Sequence, residues 1–247
     1  GSNVAAATRA GATPLQLAAI NGNAAMIQTL IKGGSRPNAA LSKYGDTALM
    51  MAARTGKTDA IMALLDNGAD VNMKEQQKSQ TALMWAAAQS QSEMVKEFVK
   101  RGADVNARAS VNNMSTANYN PLGMMDWPAN VSSEPRAGGP LAGGLTPLLY
   151  AAREGCTGCV KALIDGGVDV NLQDPQGVTA LIMATQNLQF DTAALLIKAG
   201  ADVNRWDLWG RTPLYMTVDV NTRPHGGRAV RPSLDLTTGL DAIRMLL

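Results

Sequence analysis

The sequence predicts an all-α solenoid, a stack of about six helix–turn–helix units. Three observations predict it. Alanine, leucine and methionine supply most of the apolar content while aromatics make up 4%, a composition that favours helices because unbranched side chains lose little freedom in them. An eight-residue block, "ATPLQLAA" at Ala12–Ala19, returns as "DTALMMAA", "QTALMWAA", "LTPLLYAA", "VTALIMAT" and "RTPLYMTV". Its threonines are Thr13, Thr47, Thr81, Thr146, Thr179 and Thr212, and four of the five spacings are 33 or 34 residues. Finally, Gly34, Gly68, Gly102, Gly167 and Gly200 each follow their threonine by 21 residues, most of them leading into "ADVN" or "VDVN". A period in this range is the mark of a repeat array.

Each part of the unit has a physical reading. The threonine caps a short first helix, as Thr47 does before "ALMMAAR". Alanine pairs such as Ala52-Ala53 and Ala86-Ala87 let neighbouring helices approach closely. "RTGK" or "REGC" reverses the chain, and an amphipathic second helix follows, as in "DAIMALLDN" with Ile61, Leu64 and Leu65 on one face. Gly68 then ends that helix in a left-handed conformation, and "ADVN" turns the chain into the next unit. One such pair cannot bury its own faces, but a stack can.

These residues closely resemble the ankyrin repeat, built around T-P-L-H-x-A with the same period. The resemblance covers nearly the whole chain and implies a single domain over 3–247, with repeats starting near 12, 46, 80, 145, 178 and 211. One departure is consistent: the histidine of that pattern is Gln16, Met50, Met84, Leu149, Ile182 and Tyr215 here, which replaces a hydrogen bond mostly by apolar packing. "GGLTPLLYAAREGC" and "NRWDLWGRTPLY" also resemble a group of bacterial ankyrin proteins, many of them exported, which favours a periplasmic or secreted location over a cytoplasmic one. Gly1-Ser2 reads as a cloning remnant, and both ends cut a repeat short, so a longer array is the expectation.

Two insertions interrupt the register. The interval Thr81–Thr146 is 65 residues, placing about 32 extra residues at 110–143, in the turn between the third and fourth repeats. Prolines 121, 128, 135 and 140 and the missing Thr-x-Leu start argue for an extended or irregular loop rather than a decayed repeat. Its "YNPLGMMDW", ending at Trp127, is apolar enough to pack on something. Thr47 to Leu65 spans 18 residues and Thr212 to Leu247 spans 35, so 17 more lie at 221–237, between the helices of the last repeat. Thr238 and Asp241 form a capping box for the helix that resumes.

Composition excludes several function classes. A net charge of +2 with no basic helix argues against nucleic acid, and no apolar run is long enough for membrane insertion. Cys156 and Cys159 form a CxxC with no second ligand pair, so no metal is expected, and either a local disulfide or two thiols remains open. No cofactor motif, GxSxG, HExxH or phosphate-binding loop is present.

In the ankyrin architecture the first helices line a concave face, and the inter-repeat turns rise along one rim as fingers. The resemblance therefore places Leu17, Met51, Trp85, Tyr150, Met183 and Met216 toward the groove, either as an apolar binding floor or as packing between repeats. Tyr44, Trp206 and Trp209 fall on finger tips, where aromatics serve as contact hot spots or pack on the next finger. Arg153 and Asp219 stand at the far ends of first helices, and Arg223, His225 and Arg228 lie in the second insertion. The reading that follows is a non-catalytic scaffold for a protein partner. The alternative is a small-molecule or peptide pocket roofed by the two insertions. A remote third is an enzyme using Asp219 and His225, with Asp126, Glu134 and Cys156 as further candidates, although nothing in the sequence places His225 beside Cys156.

Overall fold

The structure, a computed structural model, describes residues 4, 6–9, 12–40, 45–113, 141–222 and 235–247. Among them twelve helices form six consecutive pairs: α1 (Pro14–Asn21) with α2 (Ala24–Lys32), α3 (Ala48–Thr55) with α4 (Thr58–Asp66), and α5 (Ala82–Ala88) with α6 (Ser92–Lys100). The others are α7 (Pro147–Glu154) with α8 (Thr157–Asp165), α9 (Ala180–Gln186) with α10 (Phe190–Lys198), and α11 (Pro213–Thr222) with α12 (Gly239–Leu246). The first helices pack in one continuous row, α1–α3–α5–α7–α9–α11. The second helices stand behind them, α2 beside α4, and α6, α8, α10 and α12 in turn. The core lies between these two layers.

All six repeat threonines cap their helix, each hydroxyl accepting from the amide three residues on at 3.2–3.3 Å. The close approach of the first helices rests on small residues: Ala52, Ala53, Ala86, Ala87, Ala151 and Ala152 have no exposed surface. Met50, Met84, Leu149 and Ile182 are at most 1% exposed, so apolar packing does replace the histidine there. Each such burial stabilises the stack by about 1.5–3 kcal/mol. Gln16 is less well served, because its Oε1 is buried without a hydrogen-bond partner.

A polar ladder fixes the register between repeats. Asp70, Asp104, Asp169 and Asp202 each accept from the amide of the asparagine two residues on, at 2.8–3.0 Å. Asn38, Asn72, Asn106 and Asn171 each accept in turn from the amide of the next repeat's aspartate, at 2.7–3.0 Å. The rung from Asn106 to Asp169 crosses the first insertion, so the stack continues as if the extra residues were absent. The five repeat glycines before these turns have φ between 79° and 101°, the conformation expected of them.

The base of the first insertion is more ordered than an irregular loop. β1 (Val111–Asn113) pairs antiparallel with β2 (Leu141–Gly143), Val111 opposite Gly143. The two limbs of the finger already pair below this point, through Ala109 N to Leu145 O and Gly144 N to Ser110 O, and the ribbon extends that ladder. Ser110 N also donates to Lys78 O at 2.7 Å, which ties the third finger to the second. The strands are a local addition to an otherwise helical stack.

At the second insertion the preceding helix runs past the expected boundary at 221. α11 runs through Asn221 and Thr222, with Asn221 standing where Gly22, Gly56 and Gly155 turn left-handed and end their helices. Elsewhere the second helix starts within three residues, which forces this turn even on Ser90 (φ 56°) and Leu188 (φ 62°). The insertion removes that demand, and the helix continues. The chain returns at Asp235–Thr237 and docks on α10: the Asp191 carboxylate accepts from the amides of Leu236 (3.0 Å) and Thr237 (2.8 Å), while Asp235 accepts from Asp191 N (3.1 Å). Burial alone would push the Asp191 carboxyl up, but the Thr237 hydroxyl and these two amides outweigh it and hold the group below the ordinary carboxylate value. The capping box of Thr238 and Asp241 is present, and the Thr238 hydroxyl and amide, with Arg244, hold Asp241 low as well. Cys156 and Cys159 form a disulfide, which closes the alternative of two thiols.

Candidate functional site

The row of side chains assigned to the groove divides by burial. Met51, Tyr150 and Met216 are 4%, 8% and 3% exposed, Trp85 and Met183 are half-buried, and only Leu17 is open. Most of this row is therefore buried rather than open to the groove. The surface left above it is polar. Arg54 lies 5.8 Å over the Trp85 ring, and Arg153 lies 5.3 Å over the Tyr150 ring while pairing with Glu154 at 2.8 Å. Gln80 Nε2 donates to the Tyr150 hydroxyl at 2.6 Å, and the Trp85 indole nitrogen is buried without a partner. Asp219 is half-buried in the last turns of α11. Tyr44, Trp127, Arg223, His225 and Arg228 lie outside the described residues, as do Asp126 and Glu134.

The fifth finger, between α10 and α11, has a different character. Trp206 is 66% exposed, Leu208 64% and Trp209 39%. A buried carboxylate holds the turn that carries them. Asp207 Oδ1 accepts from the amides of Trp209 (2.9 Å) and Arg211 (3.0 Å), and Oδ2 accepts from Arg211 Nε (2.7 Å) and Nη2 (2.6 Å). Charge-assisted bonds of this kind are the strong ones, so the turn is braced from beneath despite its exposure. Arg211 also lies 4.6 Å over the Trp209 ring, which covers one face of that indole and leaves Trp206 as the freer of the two.

The fourth finger braces the fifth. Leu208 N donates to Gln176 O at 2.8 Å, and Gln173 Nε2 donates to Gly177 O (2.7 Å) and Trp206 O (3.3 Å). Between the two fingers runs an open cleft of about 650 Å³, lined by Gln173, Gly177, Asn204, Trp206 and Leu208, with Asp202 and Arg205 paired at 3.3 Å on its rim. Asp174 closes the fourth finger as Asp207 closes the fifth, accepting from the amides of Gln176 and Val178. Burial pushes its carboxyl up, those two amides oppose the shift, and the nearby Asp207 adds to it. Leu208, Asp207, Arg211 and Gln173 were not singled out from the sequence. The signal was there: Asp174 and Asp207 each stand five residues before a repeat threonine and three before a glycine.

Among the described residues no three metal-ligating side chains converge, and no helix is long and apolar enough to cross a membrane. A family model described as ankyrin repeats (3 copies) matches residues 15–109 and again 128–207. No curated protein matches. Among solved structures, the ankyrin repeat domain of Bcl-3, titled a unique member of the IkappaB protein family, is similar in fold with a TM-score of 0.67. Identity to it is 24%, over 87% of this chain and 82% of that one. With capped helix pairs, an intact polar ladder and a family model matching well over half its length, the chain belongs to the ankyrin-repeat family.

Proposed function

We propose that the chain is a non-catalytic binding scaffold that recognises a protein partner, with the fourth and fifth fingers at the centre of the contact. The observation that carries this reading is the tip of the fifth finger, where Trp206 and Leu208 stand 66% and 64% exposed on a turn locked from beneath by Asp207. Apolar side chains held rigidly in water suit a partner, since burying them releases water and little conformational entropy is lost on binding. Tryptophan is enriched among residues that dominate such contacts. The concave face contributes through Arg54, Trp85 and Arg153, a polar and aromatic surface rather than an apolar one.

A second reading has one observation in its favour. The cleft between the two fingers is about 650 Å³, within the size range of small-ligand sites, and its lining mixes an indole with amide and carboxylate groups. A short peptide or small molecule would seat there; the roof of the two insertions lies outside the described residues. The narrower likeness to bacterial exported ankyrin proteins rests on "GGLTPLLYAAREGC" and "NRWDLWGRTPLY" alone.

Capture of partners from the native source by three baits tests the reading: the unaltered chain, Trp206→Ala/Leu208→Ala, and Arg54→Ala. Loss of a hot-spot pair weakens binding by roughly 30-fold or more, so the double variant loses the partner while Arg54→Ala, at the edge of the contact, weakens capture far less. The reverse pattern moves the site to the groove.

A further inference from the structure

The turn between α7 and α8 holds a bond that the solenoid does not need. Cys156 and Cys159 are the tenth and thirteenth residues after Thr146. The same places hold Asn23 and Met26, Lys57 and Ala60, Gln91 and Met94, and Gln189 and Thr192 in four other repeats. Those turns lead into α2, α4, α6 and α10 without a covalent link. The Cys156–Cys159 bond also encloses only two residues, so it constrains the unfolded chain far less than a long-range disulfide would. Neither the shape of the turn nor the stability of the stack accounts for it.

Its surroundings suit a reactive pair. Cys156 is the N-cap of the nine-residue α8, and its Sγ accepts from the Cys159 amide at 3.2 Å. In the reduced pair the same amide and the positive end of the helix favour the thiolate of Cys156 over its thiol. The two sulfur-bearing residues are also unequal. Both are buried, but Cys156 retains 8% of its surface and Cys159 none, so an incoming thiolate reaches the pair from the Cys156 side.

We propose that Cys156–Cys159 is a redox-active disulfide that exchanges with a dithiol. A substrate thiolate attacks Cys156 Sγ, forming a mixed disulfide, and Cys159 leaves as a thiolate that takes up a proton. The second thiolate of the substrate then attacks its own sulfur in that mixed disulfide and releases the Cys156 thiolate. The substrate dithiol becomes a disulfide, the protein disulfide becomes a dithiol, and two electrons pass from substrate to protein. Cys156 is the exchanging sulfur and Cys159 the leaving one.

Dithiothreitol serves as the dithiol. Free thiols are counted over time in the native protein and in the same protein unfolded in urea. In parallel, ultraviolet absorbance follows thiolate formation against pH in Cys159→Ser, which leaves Cys156 alone, with circular dichroism confirming that the helices are retained. Native reduction within about 10-fold of the unfolded rate is expected, together with a Cys156 midpoint at least about one pH unit below the free-cysteine value of ~8.5. Reduction that occurs only after unfolding, a Cys156 midpoint at or above the ordinary value, or two free thiols in the oxidised protein would each overturn the proposal.

Discussion

Ser90 and Leu188 hold left-handed backbone angles at a turn where three other repeats use glycine. A residue with a Cβ loses about 1–2 kcal/mol there, while glycine in its place returns roughly 0.4–1 kcal/mol to the unfolded chain as entropy. Ser90 is exposed and loses no packing, so Ser90→Gly is expected to stabilise the protein by about 0.5–1 kcal/mol in urea denaturation. Leu188 is half-buried, and the packing lost in Leu188→Gly offsets the gain. At this scale the sequence was legible wherever a residue acts on its own turn. The capping threonines and the repeat glycines are of this kind, because their chemistry is local. The exposure of Met51 or Trp206 was not legible, because it depends on which neighbour stands over the side chain. Leu17 and Met51 hold the same place in their repeats, yet one is 51% exposed and the other 4%.

At the scale of elements, the return of the second insertion rests on two carboxylates with lowered pKa values, Asp191 and Asp241. A carboxyl group lowered by folding stabilises the fold above its unfolded value, near 3.9, and that contribution disappears as pH falls through the lower folded value. The docking of Asp235–Thr237 on α10 and the cap of α12 are therefore expected to weaken below about pH 4. Asp174 runs the other way: burial raises it, so its effect favours the fold at acid pH and is lost as pH rises through its folded value. Urea denaturation of the unaltered chain and Asp191→Asn checks this directly. The variant is expected to be less stable at neutral pH, and the gap to narrow as pH falls below about 4. An undiminished gap at acid pH would mean that the contact does not depend on the charge of Asp191. The positions of both insertions could be counted from the repeat, but their edges could not. Pairing at the first and continuation of α11 at the second are decided by backbone bonds that no residue type announces.

For the whole molecule, the rung between Asn106 and Asp169 shows that the stack is continuous across the first insertion. Replacing residues 114–140 by an Asn-Gly turn between β1 and β2 is therefore expected to preserve a single unfolding transition, with the shorter loop stabilising the stack by roughly 2 kcal/mol through closure entropy. Two separate transitions would show that the insertion, not the ladder, couples the halves. The solenoid itself was legible because six copies of one pattern reinforce each other. The proposed binding surface was only partly so, since Trp206 and Trp209 are visible as residues while the Asp207 brace beneath them is a tertiary fact. In the proposed reading that brace makes the fingers, rather than the mostly buried groove row, the centre of recognition. Hydrogen–deuterium exchange on the chain with and without its captured partner measures this most directly. Protection concentrated at 173–177 and 202–210 is the predicted result. Protection along Leu17, Arg54 and Trp85 with the fourth and fifth fingers unchanged would contradict it.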